Sequence, residues 1–238
     1  AYDNERPRFE QHVDAFEIDY LPVTNGDFRE FGEEGGYGRR EWWSTAGWAW
    51  RQAEGVTRPL YWTGDGRERR LDRVGAIDPA MPVMHVSWFE ADAFARSRGK
   101  RLPTEAEWEK AAAWGPGASE PRRYPWGDTP PSPGVANLDQ NAFRPAPAGA
   151  YPDGASAYGL RGLIGDAWEW TASDFAPHPG FEPYPYAEYS SIFFGPGYKV
   201  LRGGSWATRS HVISNTFRNW DLPERRQIFA GFRCARDA

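Results

Sequence analysis

An α+β fold of a few short helices, small antiparallel sheets and much ordered loop is predicted by three features of the sequence. Two capping-box signatures open helices in the middle of the chain, and short strand-like runs lie well apart on either side of them. Between these elements are spread 26 Gly and 21 Pro together with 13 Trp, 11 Tyr and 14 Phe. Turn formers at that density keep regular elements short, while large rings fill the space that regular packing otherwise fills. A disordered chain is poor in such rings.

The 238 residues, 40% of them hydrophobic, suffice for one large core, and the absence of a linker-like stretch favours a single domain over residues 1–238. No run approaches the roughly 18 apolar residues of a membrane span. The opening AYDNERPRFE lacks the basic-then-apolar pattern of an export signal. One cysteine, Cys234, cannot form an internal disulfide, so a cytoplasmic setting is expected. A net charge of −5 with scattered Lys and Arg argues against a nucleic-acid face.

Taken in order, His12 to Asp19 alternates apolar and polar residues, as a half-buried strand does. Thr24 caps a helix through Phe31, with Asp27 three residues on and Gly35-Gly36 as its end. The rings of Trp42, Trp43, Trp48, Trp50 and Trp62 are expected to pack beneath a long loop. Ser87 and Glu90 form a capping box for a helix reaching Gly99, and Thr104 and Glu107 form another for TEAEWEKAAAW. Pro, Gly, Asn and Asp make residues 115–154 an ordered loop, with Tyr124-Pro125-Trp126-Gly127-Asp128 as a packed turn. Strands are predicted over residues 165–171, 199–206 and 230–235, the last placing Cys234 as a small buried hydrophobe.

From Phe217 to Phe229 neither strand nor helix periodicity explains the sequence, and the segment is predicted to be a site loop. Asp221 and Arg225, four positions apart around Pro223, could hold the ammonium and the carboxylate of a zwitterion, or could pair with each other and close the turn. Asn219 and Trp220 add an amide and a flat ring. The four histidines, His12, His85, His178 and His211, are too far apart in sequence for any local pair to have metal-ligand spacing.

Several motifs occur in a recognisable order: Pro22-Val23-Thr24-Asn25, MPVMHVSWFEADAFARSRGKRLPTEAEWEKAA, YPWGD, Gly165-Asp166-Ala167-Trp168-Glu169-Trp170, Arg202-Gly203-Gly204-Ser205-Trp206 and Gly231-Phe232-Arg233. Together they resemble the signature of formylglycine-generating-enzyme (sulfatase-modifying-factor) domains across nearly the whole chain. The resemblance implies a C-type-lectin-like fold. It also implies that the chain starts downstream of the family's usual first strand, as the C-terminal part of a longer enzyme. True formylglycine generators carry a cysteine pair shortly after R-G-G-S-[WY], whereas Ala207 to Ile213 has none. A copper-dependent oxidase of that type is therefore disfavoured.

The run N-W-D-x-P-x-R-R-Q-I-F, with Ser173-Asp174-Phe175, Pro179-Gly180-Phe181 and Pro185-Tyr186-Ala187-Glu188-Tyr189-Ser190 upstream, is similar to the C-terminal domain of ergothioneine-pathway sulfoxide synthases. That resemblance implies an iron(II)- and O2-dependent enzyme joining γ-glutamylcysteine to N-α-trimethylhistidine, or hercynine. It assigns Asp221 and Arg225 to γ-glutamylcysteine and Asn219 and Trp220 to hercynine, where an aromatic face attracts a quaternary ammonium. It makes a loop tyrosine the proton donor, Tyr186 first and Tyr189 second. It places the iron on three histidines of a separate N-terminal helical-bundle domain, so that this chain alone is expected to be inactive. It also raises a structural calcium on Asn137, Asp153, Asp166 and the carbonyls of Leu138 and Gly165. A non-catalytic lectin-like binding module is the alternative.

Overall fold

In the computed structural model, which describes residues 1–238, three helices begin where the capping boxes predict. Helix α1 (Asn25–Glu33) starts after Thr24, α3 (Trp88–Ser97) after Ser87 and α4 (Glu105–Ala113) after Thr104. In each the cap hydroxyl accepts the N–H three residues on, and the side chain at that third position accepts the cap's own N–H. Two orphan donors of the first turn are thereby satisfied locally. The tryptophan-rich stretch departs from expectation, since it carries a further helix, α2 (Thr45–Ala53), capped by Ser44. Trp43 lies in the main core and Trp42, Trp48, Trp50 and Trp62 pack against it, two of them from this helix rather than beneath a loop.

Short strands build three small sheets. Strands β1 (Phe16–Ile18) and β8 (Ala235–Asp237) pair antiparallel, and β2 (Arg67–Arg70) and β3 (Arg73–Ala76) form a hairpin. The largest sheet has the order β6-β5-β4-β7, from β4 (Trp168–Phe175), β5 (Gly195–Arg202), β6 (Arg218–Asp221) and β7 (Ala230–Gly231). Only β7 runs parallel to its neighbour. The strand expected over 12–19 is confined to β1. The one expected over 230–235 divides between β7 and β8, because Phe232 and Cys234 give their carbonyls to the N–H groups of Val23 and Asp19.

Segment 217–229 also needs correction, for its first part is strand rather than loop. Residues Arg218 to Asp221 pair with Lys199 to Arg202 of β5 and form one edge of the sheet. Apolar alternation fails as a signal there because both faces of β6 carry polar groups. Asn219 lies in register with Leu201, whereas Arg218 lies in register with Arg202. The guanidinium groups of Arg202 and Arg218 are buried and share the carboxylate of Glu105 at 2.7 Å each.

The principal core joins Phe28, Phe31, Phe94, Trp170, Phe232 and Cys234. Burial pushes the Cys234 thiol far up, so it packs as an apolar group. The Gly203-Gly204 pair that follows β5 explains one family motif, since a side chain at Gly203 would collide with the Leu163 carbonyl, and its φ of +87° suits glycine. No helix is long and apolar enough to cross a membrane.

Candidate functional site

Because side chains alternate along a strand, Arg218 and Trp220 leave one face of β6, and Asn219 and Asp221 leave the other. The Trp220 ring stacks on Phe175, with centroids 4.1 Å apart and planes inclined by 8°, and leans on Phe193 at 5.5 Å. Arg218 lies over the same Phe175 ring at 4.9 Å. One face of Trp220 is thus covered by the protein itself.

At the end of β6 the chain turns through Leu222 and Pro223. The Asp221 carboxylate accepts the Leu222 N–H at 2.8 Å and the Arg225 Nε–H at 3.2 Å, so the pairing that closes the turn is present. Burial pushes the Asp221 carboxyl up, against the opposing pull of the Leu222 N–H and the Arg225 guanidinium. Arg225 remains about half exposed, at 49% of its side chain. Opposite Asp221 on β5 stands Lys199, whose ammonium pairs with Asp174 at 2.5 Å and lies 4.4 Å from the centre of the Trp88 ring.

The turn is fixed from behind by groups whose role sequence alone does not reveal. The Trp88 N–H at the start of α3 donates to the Pro223 carbonyl at 2.9 Å. Arg226 pairs with the fully buried Glu90 at 3.0 Å and donates to the Arg58 carbonyl. Glu90 also accepts the Tyr37 hydroxyl at 2.6 Å and the Ser87 N–H at 2.8 Å. The carboxylate that caps α3 therefore also holds the segment after Arg225. Only the capping-box spacing marked Glu90 in the sequence.

The tyrosine loop approaches β6 from the Trp220 face. Tyr186 and Tyr189 meet nearly at right angles, 6.3 Å apart, with Tyr186 exposed and Tyr189 half buried against Tyr2. Burial pushes the Tyr189 phenol up, and nearby Tyr2, Asp3 and Glu5 add to this, so the group keeps its proton at neutral pH. A strap of the first residues holds the loop. The Ser190 hydroxyl donates to Asp3 at 2.6 Å, Asn4 donates to Ser190 at 3.1 Å, and Arg218 donates to the Asn4 carbonyl at 2.6 Å. Asn219, Trp220, Asp221 and Arg225 are therefore gathered on one strand and turn, and the tyrosine loop packs beside them through Phe193. No hydrogen bond links Tyr186 or Tyr189 to Asp221 or Arg225.

Of the calcium candidates, four are joined by hydrogen bonds or close backbone approach, and Asp153 shares no hydrogen bond with them. Asn137 donates to Asp166 at 2.8 Å, Asp166 also accepts the Ala146 N–H at 2.7 Å and returns its own N–H to the Asn137 carbonyl at 3.2 Å. The Leu138 carbonyl accepts the Asn141 amide at 3.0 Å, and Gly165 adjoins Asn137 so closely that a Cβ would lie 2.5 Å from its carbonyl. Asp153 sits exposed in a separate turn, Pro152–Gly154. This junction holds together through its own hydrogen bonds. No group of three or more His, Cys, Asp or Glu in the chain could hold a metal ion. His85 is bonded to the Arg226 carbonyl at 3.1 Å, and His12 pairs with Asp14 on the surface. The residues present do not fit an iron centre.

Residues 1–238 match the model of the sulfatase-modifying factor enzyme 1-like domain. The chain belongs to this family. It is 54% identical over 241 residues to the hercynine oxygenase of Mycolicibacterium thermoresistibile, covering all of this chain and 54% of that protein. To the hercynine oxygenase of Mycobacterium tuberculosis it is 53% identical over 238 residues, covering all of this chain and 56% of the relative. The chain spans about half the length of these curated relatives. Among solved structures, PvdO from Pseudomonas aeruginosa has the same fold, with a TM-score of 0.58 at 23% identity over 94% of this chain and 80% of that one. The loop-rich α+β architecture of the family is the one expected from the sequence.

Proposed function

We propose that this chain is the substrate-binding half of an iron(II)- and O2-dependent sulfoxide synthase that joins γ-glutamylcysteine to hercynine in ergothioneine biosynthesis. The observation that carries the proposal is the ion pair of Asp221 and Arg225 at the end of β6. The γ-glutamyl group of the thiol substrate ends in a free ammonium and a free carboxylate. An Asp and an Arg already side by side match those two charges, and opening a partly exposed ion pair costs little, about 1 kcal/mol or less. The guanidinium then takes the carboxylate through its planar fork, and Asp221 takes the ammonium.

Asn219 and the uncovered part of the Trp220 ring are assigned to hercynine, whose trimethylammonium is attracted to an aromatic surface. Phe175 already occupies one face of that ring and fixes its tilt. One tyrosine of the loop, Tyr186 before Tyr189, supplies a proton to the oxygen that is reduced while thiol and imidazole are joined, and the half-buried Tyr189 phenol, pushed up by its surroundings, is suited to donation rather than to acting as a base. Bound iron supplies oxygen activation, and its ligands are assigned to an N-terminal helical-bundle domain of the same enzyme. The name hercynine oxygenase borne by the relatives supports hercynine and O2 as substrates, and their greater length leaves room for a further domain. The test is incubation of the full-length protein with both substrates, iron(II) and O2, followed by mass spectrometry. A product lacking the carbon–sulfur link, or no product at all, would refute the proposal.

A further inference from the structure

A second concave site lies away from the β6 turn, between the β2–β3 hairpin and the end of β5. It encloses about 220 Å³ and is walled by a continuous row of rings. Tyr61 meets His85 at 4.6 Å, His85 meets Phe229 at 5.5 Å, Phe229 meets Trp206 at 4.5 Å and Trp206 meets Phe143 at 5.9 Å. Three guanidinium groups, from Arg69, Arg70 and Arg144, share the lining with Gln227 and a few apolar side chains, and it contains no carboxylate. Arg70 is paired with Glu68 at 2.9 Å, whereas Arg69 and Arg144 enter no ion pair within the chain. In a protein of net charge −5 this is a local concentration of positive charge beside aromatic faces.

Backbone strain gathers at the same place. Six non-glycine residues of the chain have left-handed φ, and Leu71 (+53°), His85 (+62°) and Phe143 (+49°) all line this cavity. Two more, Asp139 and Gln140, lie in the loop that returns to it, where the Gln140 N–H donates to the Trp206 carbonyl at 2.8 Å. Leu and Phe gain nothing locally from that conformation. Such strain tends to be retained where a ligand is bound or chemistry is done. Leu71 and Phe143 are also 62% and 60% exposed, which leaves an apolar rim open to solvent. Trp206, one wall, has a buried indole N–H with no partner.

We propose that this cavity binds a small planar anion, an aromatic ring bearing one carboxylate, independently of the β6 turn. The ring lies among Tyr61, Trp206 and Phe143, and the carboxylate takes hydrogen bonds from Arg69 and Arg144. A volume below the ~300 Å³ of sites for drug-sized ligands restricts the occupant to one ring or two. His85, held neutral by burial, contributes a flat wall and no competing charge.

Titration of the 238-residue chain with 4-fluorobenzoate, followed by fluorine NMR, tests the assignment. Saturable binding is expected, weakened about tenfold or more when Arg69 and Arg144 are both changed to Gln, because charge-assisted hydrogen bonds are lost. The uncharged 4-fluorobenzamide should bind about tenfold more weakly than the carboxylate. Phe143→Ala removes an exposed wall without touching the core, and should also weaken binding if the arginine variant misfolds. Asp221→Ala should leave the titration unchanged. Absence of saturation, equal binding of the amide, indifference to both the arginine and Phe143 changes, or loss of binding in Asp221→Ala would each overturn the proposal.

Discussion

The Ser190 hydroxyl donates a 2.6 Å hydrogen bond to the Asp3 carboxylate, 187 positions away in sequence, and both residues are buried. Through this contact the first residues of the chain hold the tyrosine loop in place. Asp3→Ala leaves Ser190 and the Tyr184 N–H without their acceptor. A loss of about 1 to 3 kcal/mol in the local stability of the loop follows from the unsatisfied donors. Hydrogen exchange should rise across residues 184–194 and stay unchanged in α3 and α4.

Asp221→Ala and Arg225→Ala, made in the full-length protein, should each raise KM for γ-glutamylcysteine by about tenfold or more, and leave KM for hercynine nearly unchanged. Together they should do less than the sum of the two, since the proposal assigns both to one substrate group and they contact each other. An unchanged KM for the thiol substrate would remove both from the site.

For the tyrosines the informative readout is the product, not the rate. Tyr186→Phe should shift the reaction from carbon–sulfur coupling towards simple oxidation of the thiol, measured as the ratio of the two products. If Tyr189→Phe alone produces that shift, the donor is Tyr189, whose raised phenol would then keep the ratio flat through the whole pH range in which an ordinary tyrosine stays protonated.

Glu90→Gln separates two jobs of one side chain. Glutamine still completes the α3 capping box, but it leaves the mostly buried Arg226 without its counter-charge. Removing one partner of such a pair typically costs about 3 to 5 kcal/mol. Denaturant unfolding should register that loss, and helix content should remain unchanged.

Burial lowers His85 to about 4 from an ordinary value of 6.5. Between these values the unfolded chain binds the proton and the folded chain does not, so His85 makes stability fall as pH drops from about 6.5 to about 4. His85→Asn retains a residue that tolerates left-handed φ and removes the titration. The melting temperature of this variant should depend less steeply on pH across that window than that of the parent protein.

Helix starts were legible because a capping box is a contact over three residues, as at Thr24, Ser87 and Thr104. Strand β6 was not, since Arg218 and Asn219 answer to partners on β5 and α4 rather than to an apolar period. Helix α2 was hidden for a related reason, its tryptophans suggesting loop packing while Ser44 quietly supplied the cap. The residues of the turn, Asn219 to Arg225, could be picked out by their chemistry. Their supports could not, because Glu90 reaches Arg226 across 136 positions and Asn4 reaches Arg218 across 214.

Strand β6 is the last strand on its side of the sheet and carries a row of main-chain groups that β5 does not use. Such an edge is a template on which a second molecule can lay a strand, the first step towards aggregation. Four residues are a short template, and the charged Asp221 and Arg225 at the turn that ends it make it a poor one. The charge assigned to a substrate in the proposed reading thus also blunts an open sheet edge. Replacing Asp221 with a large apolar residue such as Ile would accordingly be expected to lower solubility, where Ala would not.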